Sequence, residues 1–415
     1  MAKHGAIPEY DVAVVGGGMV GASFALALAG TPLSVVLIES VAPASHAHPS
    51  FDERTTALGN ASRRIFQALG IWDRIAPQAS AIRAIHVSDA GRFGFARLDA
   101  REQGIEAFGY VAANRVIGAA LWERLAELPH IERRVPARLD AIDIGPERVA
   151  LALDAGGIEH LSARLVVAAD GAESQVRRAA GIDARVKEYD QVALIANVSA
   201  DRPHDGTAYE RFTATGPIAL LPLAGGSYTA VWARSPEQAQ QALALTDGSF
   251  LGELQRHFGW RAGRLVRAGR RGSYRLSLTR ASATMGARSV LIGNAAQALH
   301  PVAGQGFNLG LRDAAVLAEI LADARSRTAG AETDPGSPEV LARFARERSA
   351  DRRGVVGFTD GLVRLFGDSR RPVGLARNLG LLLFDLAPPA KSALARVSTG
   401  FGGRTPRLAR GLEIK

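Results

Sequence analysis

The chain has 415 residues, of which 47% are hydrophobic and 22% are charged, a composition that is ordinary for a folded protein and predicts two domains plus an appendage. It contains no cysteine, so disulfides, thiolate metal sites and cysteine nucleophiles are excluded. The first ten residues lack the apolar run of a signal peptide, and no stretch of about 18 apolar residues exists to span a bilayer. We therefore expect a cytoplasmic protein.

Residues 10–40 have the pattern of strand, glycine turn, helix and second strand, which is one complete βαβ unit. The fingerprint G-x-G-x-x-G follows the first strand, and an acidic residue closes the second; the four residues are Gly16, Gly18, Gly21 and Glu39. The glycines allow a tight turn, close approach of a pyrophosphate, and contact between helix and strand. The helix N-terminus offers N–H groups to phosphates, and the carboxylate suits a ribose 2′-hydroxyl but repels a 2′-phosphate. This motif predicts bound FAD or NAD rather than NADP.

The remaining patterns predict two kinds of sheet. Residues 163–171 and 287–296 are apolar runs that end in a glycine turn, as is typical of parallel strands buried on both faces. Residues 185–275 alternate and are rich in aromatic and β-branched side chains, and residues 81–104 have a similar hairpin-like pattern, so both favour an antiparallel sheet. Apolar residues at helical spacing predict a long helix over 305–325.

Together these patterns predict an α/β fold in which a Rossmann-like dinucleotide-binding domain carries an inserted, mostly antiparallel β-sheet substrate domain and a C-terminal helical segment. The dinucleotide-binding domain is expected to be discontinuous. Its segments are 1–80, 105–184 and 276–325. The substrate-binding sheet takes 81–104 and 185–275, and a linker with a helical, basic tail takes 326–415.

The tail holds the whole excess of positive charge. The net charge is +9, and residues 343–415 contain 15 Lys and Arg against 6 Asp and Glu. The segment LGLLLFDL (379–386) is apolar but too short to span a membrane, and it lies among arginines. One interpretation is peripheral contact with the inner face of the cell membrane; the other is a helix packed on the first domain with a solvated basic face. The arginines are not interleaved with aromatic residues, so we expect no nucleic-acid partner.

Two internal stretches resemble signatures of the flavin-dependent aromatic hydroxylases, the class A flavoprotein monooxygenases. They are ADGAESQVRRAAG (169–181) and GNAAQALHPVAGQGFNLGLRDA (293–314). The resemblance implies FAD rather than NAD in the first domain. Asn294, the run AAQALHP and the stretch AYERFTATGPIALLPL (208–223) are similar to the UbiH-type 2-polyprenyl-6-methoxyphenol hydroxylases of ubiquinone biosynthesis. The resemblance thus implies that NAD(P)H, a transient co-substrate, reduces the flavin and that one atom of O2 enters a polyprenylphenol ring.

The same resemblance implies further FAD contacts. Asp170 and Gly171 match a pair that lies between FAD and the entering nicotinamide, and Arg177 follows this pair. Asn294 stands where the general family has an aspartate on the ribitol chain, and an amide can still hydrogen-bond there. The turn that faces the flavin pyrimidine ring, with the proline before it, is matched by Pro301, Gly304, Gln305, Gly306 and Asn308.

Three other residues allow more than one interpretation. Arg54 and Asn114 match positions that contact FAD in relatives, but an arginine before a helix is commonly a surface or capping residue, and an asparagine opening a helix is by default an N-cap. His300 would lie beside the flavin ring, and we interpret it as structural packing because this chemistry does not require an imidazole base. The sequence identifies no general base and no cluster of metal ligands.

Three functions stay open at this stage. The first is a polyprenylphenol hydroxylase, and the second is a hydroxylase of a small soluble aromatic compound. The third is a flavin-carrying scaffold subunit that works with other ubiquinone biosynthesis proteins. A small acidic substrate would favour a buried arginine pair in the substrate sheet, which forms no recognisable motif here. A scaffold subunit could tolerate loss of the turn that faces the flavin, but this chain retains the turn as AGQGFNLG (303–310).

Overall fold

The computed structural model describes residues 7–43, 54–300, 304–327, 334–367, 370–401 and 403–414. The strands are β1 (Glu9–Val15), β2 (Val35–Ile38), β3 (Thr55–Gly59), β4 (Ser80–Ile82), β5 (Ala84–Asp89), β6 (Phe95–Asp99), β7 (Gly109–Ala113), β8 (Ile131–Arg134), β9 (Arg138–Ile144), β10 (Val149–Asp154), β11 (Ile158–Ala168), β12 (Ala184–Ala200), β13 (Thr207–Thr213), β14 (Gly216–Pro222), β15 (Tyr228–Arg234), β16 (Leu265–Ala281), β17 (Met285–Gly286), β18 (Ser289–Leu291) and β19 (Gln297–Ala298). The helices are α1 (Met19–Ala27), α2 (Asn60–Ala68), α3 (Trp72–Ile75), α4 (Asn114–Ala126), α5 (Gln175–Ala179), α6 (Pro236–Ala244), α7 (Asp247–Phe258), α8 (Gln305–Arg327), α9 (Pro338–Gly367), α10 (Arg371–Asp385) and α11 (Pro388–Ser398).

The first sheet is built around β1, which pairs in parallel with β2 on one side and β11 on the other. Its order is β17-β18-β11-β1-β2-β8, and β10 and β9 continue from β11 as an antiparallel extension. The apolar runs predicted as parallel strands are β11 and β18, which pair with each other in parallel. The βαβ prediction is confirmed, and both faces of β1 are buried in separate apolar cores, which explains its run of Val and Ala.

The second sheet has the order β19-β16-β12-β15-β14-β13-β5-β6. All its pairings are antiparallel except that between β13 and β5, so the mostly antiparallel prediction is confirmed. Helices α6 and α7 cover one face, where Trp232, Phe250 and Phe258 are buried. The other face is turned toward the first sheet.

The strands of the second sheet do not begin and end at the expected bounds of the two insertions, 81–104 and 185–275. Strand β4 does not join the second sheet but pairs with β7 in a three-stranded sheet with β3. Strand β16 continues past the expected boundary at 275 to Ala281, because β12 pairs with it along most of its length. The long pair β12 and β16 lies within the second sheet, and its register shifts at three places along its length.

The C-terminal helices pack on both parts of the molecule. Helix α8, predicted over 305–325, lies against α9, where Arg348 Nε donates to the buried carboxylate of Asp313 at 2.7 Å. At the far end of α9, the ring of Phe366 stacks on Phe212 of β13 with centroids 3.4 Å apart. Residues 403–414 then return to the first domain, where Leu408 is buried in the core beside α2. The basic segment is thus part of the folded body in its described residues.

Candidate active site

A cavity of about 1010 Å³ lies between the first and second sheets. Its lining on one side comes from the glycine turn after β1 and from the ends of β2 and β11. On the other side it comes from the inner face of the second sheet, which contributes apolar side chains such as Ile195, Leu221 and Val231. The volume is at the upper end for small-molecule sites, so a large ligand fits here.

The glycine turn leaves no room for side chains at two positions. Gly16 has φ +100°, and a Cβ atom there would lie 2.4 Å from the carbonyl oxygen of Ala169. A Cβ atom at Gly21 would lie 1.9 Å from the carbonyl oxygen of Gly16. Gly18 is the N-cap of α1, and no side chain caps this helix end. The first-turn N–H groups of α1 therefore suit an anionic ligand such as a pyrophosphate.

Glu39 holds the glycine turn as well as lining the cavity. Its carboxylate accepts hydrogen bonds from the backbone N–H groups of Gly17 at 2.7 Å and Val41 at 2.8 Å. Trp122 Nε1 donates to the Gly17 carbonyl at 3.1 Å, a support that no sequence motif indicated. Ser40 Oγ also donates to the Glu39 carboxylate at 3.3 Å. A carboxylate can accept several hydrogen bonds, so its place at the cavity suits a ribose hydroxyl.

Asp170 presents a buried oxygen at the cavity. Its Oδ2 accepts hydrogen bonds from the backbone N–H groups of Gln175 at 2.8 Å and Val176 at 3.3 Å, which fixes the start of α5. Its Oδ1 is buried and has no hydrogen-bond partner within the described part of the chain. Burial raises the pKa of Asp170, while hydrogen bonds from Ser174 and the backbone oppose the rise. A ligand hydroxyl would satisfy this oxygen.

Arg177 supports the cavity wall from behind. It is buried, and its Nη1 donates to the carbonyl oxygen of Ala295 at 3.0 Å. This bond fixes the short 3₁₀ turn Gly293–Ala295, which leaves Asn294 exposed at the cavity. Arg177 is therefore a positioning residue for Asn294.

Asn308 ties the start of α8 to the β3–α2 connection. Its Oδ1 accepts from the N–H of Gly59 at 2.8 Å and from Ser62 Oγ at 2.6 Å. Its Nδ2 donates to the carbonyl oxygens of Ala57 and Gly304, each at 2.8 Å. These four bonds use the full capacity of the amide. The structure thus places Asn308 behind the turn, whereas the resemblance placed it in contact with the flavin.

Of the other residues in this turn, some line the cavity and some do not. Gly304, with φ +58°, and Gly306 line the cavity. Gln305 is buried at the first position of α8, and neither it nor Gly21 belongs to the cavity lining. Pro301 lies outside the described residues.

Arg54 and Asn114 both line the cavity, so the surface and capping interpretations do not describe them. Arg54 precedes strand β3 rather than a helix, and its guanidinium lies 4.6 Å from the centre of the Tyr274 ring. Asn114 is the first residue of α4, whose N-cap is Ala113, and its Oδ1 accepts from Thr56 Oγ1 at 2.7 Å. The antiparallel pairing of β3 with β7 brings the two positions together, since Asn114 N–H donates to the Arg54 carbonyl at 2.8 Å.

His300 is buried at the cavity wall. Its ring meets that of Tyr189 edge-on, with centroids 5.2 Å apart. Burial lowers the pKa of His300 to about 4, so the imidazole is neutral at pH 7. This geometry agrees with the packing interpretation.

One carboxyl group on the sheet side of the cavity escaped the sequence reasoning. Glu210 lies within the stretch 208–223, which is similar to the UbiH-type hydroxylases, but that similarity implied no role for it. The available signal was strand alternation, because Ala208 and Glu210 point to one face of β13 while Tyr209 points to the other. Burial raises the pKa of Glu210 to about 7.

Residues 9–358 match the model of the family described as FAD binding domain. The chain belongs to this FAD-binding family. The dinucleotide of the glycine fingerprint is therefore FAD, and the site fits it. Gly16 and Gly21 form a cradle that any Cβ atom would fill, and Asp170 offers an unsatisfied buried oxygen.

Relatives of this FAD-binding protein are ubiquinone hydroxylases. It is 39% identical to ubiquinone hydroxylase UbiL of Rhodospirillum rubrum over 408 residues, which are 97% of this chain and 93% of that protein. It is 32% identical to the 3-demethoxyubiquinol 3-hydroxylase of Escherichia coli over 94% of this chain and 98% of that protein. The solved structure of p-nitrophenol 4-monooxygenase PnpA from Pseudomonas putida matches its fold with a TM-score of 0.78 at 21% identity, covering 96% of this chain and 100% of that one. The chain is thus an FAD-dependent aromatic-ring monooxygenase.

Proposed function

We propose that the protein hydroxylates the phenolic ring of a polyprenylated ubiquinone precursor, using NAD(P)H and O2. The observation that carries this proposal is the shared cavity, whose one wall is the FAD fingerprint and whose other wall is an apolar sheet face. The names of the two ubiquinone hydroxylase relatives support the substrate class. FAD supplies the redox chemistry and the activation of O2 when bound.

We divide the expected FAD-binding residues into two groups, according to whether they line the cavity. We propose that the lining residues contact FAD; they are Gly16, Gly18, Glu39, Arg54, Asn114, Asp170, Gly171, Asn294, Gly304 and Gly306. Gly21, Gln305 and Asn308 act by shaping the backbone of the two turns. Pro301 is carried over from the resemblance alone.

The sheet side of the cavity would position the ring and exclude water. Ile195, Leu221 and Val231 present aliphatic side chains there, and a dry site protects the activated oxygen from wasteful release. The same apolar surface favours a prenylated phenol over a small aromatic acid, because Ile195, Leu221 and Val231 offer no cation to a carboxylate. A scaffold without turnover would not need this wall.

The test uses the purified protein with a short-chain prenylated methoxyphenol, NADH or NADPH, and isotopically labelled O2. We expect bound FAD and a product that carries one labelled oxygen atom. Gly18→Trp should abolish FAD binding and turnover together. A product whose new oxygen comes from water would contradict the monooxygenase reaction, and turnover of only small phenols would favour the second function.

We also propose that α10 contacts the membrane surface that holds the substrate. Four leucines at helical spacing are exposed, and we call them the leucine stripe: Leu375, Leu379, Leu383 and Leu386. On the opposite side of α10, Arg377 and Asn378 are buried against Asp89. None of the helices in the described ranges is long and apolar enough to cross a membrane. Arg364 on α9 and Arg396 on α11 are exposed cations of the two helices that contact α10. An apolar stripe combined with such cations suits an anionic lipid surface.

Liposome flotation tests this contact in the full chain. Leu379→Ser with Leu383→Ser should reduce binding to vesicles that contain anionic lipid. Leu412→Ser is the matched control, because Leu412 is similarly exposed but lies outside α10. Equal binding of all three proteins, or binding that ignores anionic lipid, would contradict the proposal. Deletion of the tail is unsuitable, because Leu408 belongs to the core of the first domain.

A further inference from the structure

Glu210 lies on the sheet wall that faces the FAD side of the cavity. Its direct neighbours across the strands are Ala219 on β14 and Val87 on β5. Ala219 pairs in turn with Val231, and Val231 pairs with Ile195. Directly paired residues point to the same face, so Glu210 ends a row of apolar side chains that lines the cavity.

This carboxyl group has no partner in the described part of the protein. It forms no hydrogen bond and no ion pair there, although it lies in an apolar surround. Burial raises its pKa. A carboxylate in such a place is costly unless a ligand supplies a hydrogen-bond donor.

The other ionisable groups around the cavity are already committed or lie on the FAD side. Arg54, which precedes β3, stacks on Tyr274, and His300 packs against Tyr189. The groups at the FAD wall are Glu39, Arg138, Asp170, Glu173 and Arg178. Among the described residues of the second sheet, Glu210 is the acidic residue that lines the cavity.

We propose that Glu210 is the general base that removes the proton from the ring hydroxyl of the substrate. This inference rests on the proposed function, which the sequence left without a base. The O–H bond of the phenol breaks, its electron pair stays on the ring oxygen, and a new O–H bond forms on the Glu210 carboxylate. The phenolate ring is richer in electrons and reacts faster with an electrophilic oxygen. The proton passes to water when the product leaves.

The position of Glu210 suits this step for two physical reasons. A base works best when its pKa is near the working pH, and burial brings the Glu210 pKa to about 7. An apolar wall also holds the ring, so the hydroxyl can reach the carboxylate while the ring faces the flavin side. General bases of this kind accelerate a step by about 10²- to 10⁴-fold.

The experiment compares the holoenzyme with its E210Q and E210D variants on two substrates. One is a short-chain prenylated methoxyphenol, and the other is its ring-fluorinated analogue, whose hydroxyl is more acidic. We expect E210Q to lose about 10²-fold or more in the rate of hydroxylation with the first phenol. The loss should shrink at least about tenfold with the fluorinated phenol, because a more acidic hydroxyl needs less help from a base. E210D should keep part of the rate.

Three further measurements separate a base from a structural residue. FAD content, phenol binding followed by flavin fluorescence, and flavin reduction by NAD(P)H should stay near those of the unsubstituted protein. In E210Q the consumed NAD(P)H should yield hydrogen peroxide in place of product. Glu188→Gln is the matched control, because Glu188 is an exposed glutamate on β12 of the same sheet.

Two results would overturn the assignment. One is an unchanged hydroxylation rate in E210Q, and the other is an equal loss with both phenols, which would indicate a steric effect. If the unsubstituted protein hydroxylates neither phenol, the proposed function itself is contradicted and the role of Glu210 falls with it.

Discussion

Arg377 on α10 and Asp89 on β5 form a buried ion pair that joins the C-terminal helices to the second sheet. Arg377 Nη2 donates to Asp89 Oδ2 at 2.6 Å, and each side chain is 6% exposed. Asn378 Nδ2 donates to the same oxygen at 3.1 Å. The two partners are 288 positions apart in the sequence. The two buried charges compensate each other, and Arg92 Nε adds a second cation 3.6 Å from Asp89 Oδ2.

Arg377→Ala should therefore destabilise the protein by up to about 3 kcal/mol, since it removes the nearer cation from Asp89 and leaves Arg92, whose Nε lies 3.6 Å from Asp89 Oδ2. Urea denaturation of the holoprotein measures this change. Arg364→Ala is the control, because Arg364 pairs with Asp360 but its side chain is 72% exposed. Its effect should stay below about 1 kcal/mol. Similar decreases in the free energy of unfolding of both variants would show that the buried Arg377 pair contributes no more than the exposed Arg364 pair.

Asn308→Ala should weaken FAD binding although the side chain is turned away from the cavity. The change leaves two buried and two partly buried polar groups of the β3–α2 and Gly304 segments without this partner, which we expect to cost about 2–4 kcal/mol in the free energy of unfolding. Asn294→Ala should lower FAD affinity without this loss of stability, because Asn294 is exposed at the cavity. Thermal unfolding of the apoproteins and FAD titration separate the two effects. Equal apoprotein stability would contradict the positioning role of Asn308.

Gly21→Ala should abolish FAD binding, and it should also destabilise the first domain. Its Cβ atom would lie 1.9 Å from the Gly16 carbonyl oxygen, so α1 would have to move away from the turn. Gly252→Ala on α7 is the matched control, because nothing lies within 4 Å of the new methyl group. There alanine should stabilise the helix by about 0.5–1 kcal/mol. Flavin absorbance after gel filtration measures the first outcome, and retention of FAD by Gly21→Ala would contradict the prediction.

Glu210 should make the substrate-free protein less stable as the pH rises. The pKa of Glu210 in the folded state is about 7, above the ordinary glutamate pKa of 4.5 that applies to the unfolded chain. The folded state therefore binds more protons than the unfolded state between these pH values. Stability from this group is complete below pH 4.5 and is lost as the pH rises through 7. At pH 8 the free energy of unfolding of E210Q should therefore exceed that of the unsubstituted protein by up to about 3 kcal/mol, and at pH 4 the two should differ little. Denaturation at the two pH values checks the difference, and Glu188→Gln should show none.

Local patterns predicted the parts of the fold that local physics determines. The βαβ unit, the strands of both sheets and α8 follow from apolar periodicity and glycine turns within short windows of sequence. The docking of α10 could not be predicted in this way, because the Arg377 and Asp89 pair depends on two distant segments that carry no shared pattern. The sequence therefore left two interpretations of the apolar segment 379–386, a membrane contact and a packed helix. In the structure one side of α10 packs against Asp89.

The candidate site shows the same limit. The glycine fingerprint fixed the place of Gly16 and Gly21, since steric exclusion by the backbone leaves a clear trace in the sequence. The resemblance put Asn308 among the flavin contacts, but only coordinates reveal that its amide is fully used by the β3–α2 connection and Gly304. Glu210 was missed because a charged residue in an alternating strand normally faces solvent.

The return of residues 403–414 to the first domain has a consequence for how the protein is made. Leu408 and Ala409 are buried in the same core as Val14 and Phe24, and the backbone N–H of Ala61 donates to the carbonyl of Thr399 at 2.9 Å. A ribosome synthesises the glycine fingerprint first, yet the core around it stays incomplete until residue 409 has left the exit tunnel. We therefore expect the nascent chain to hold FAD tightly only after residues 403–414 have emerged and packed on the first domain, so that flavin supply and chaperone protection act late in synthesis.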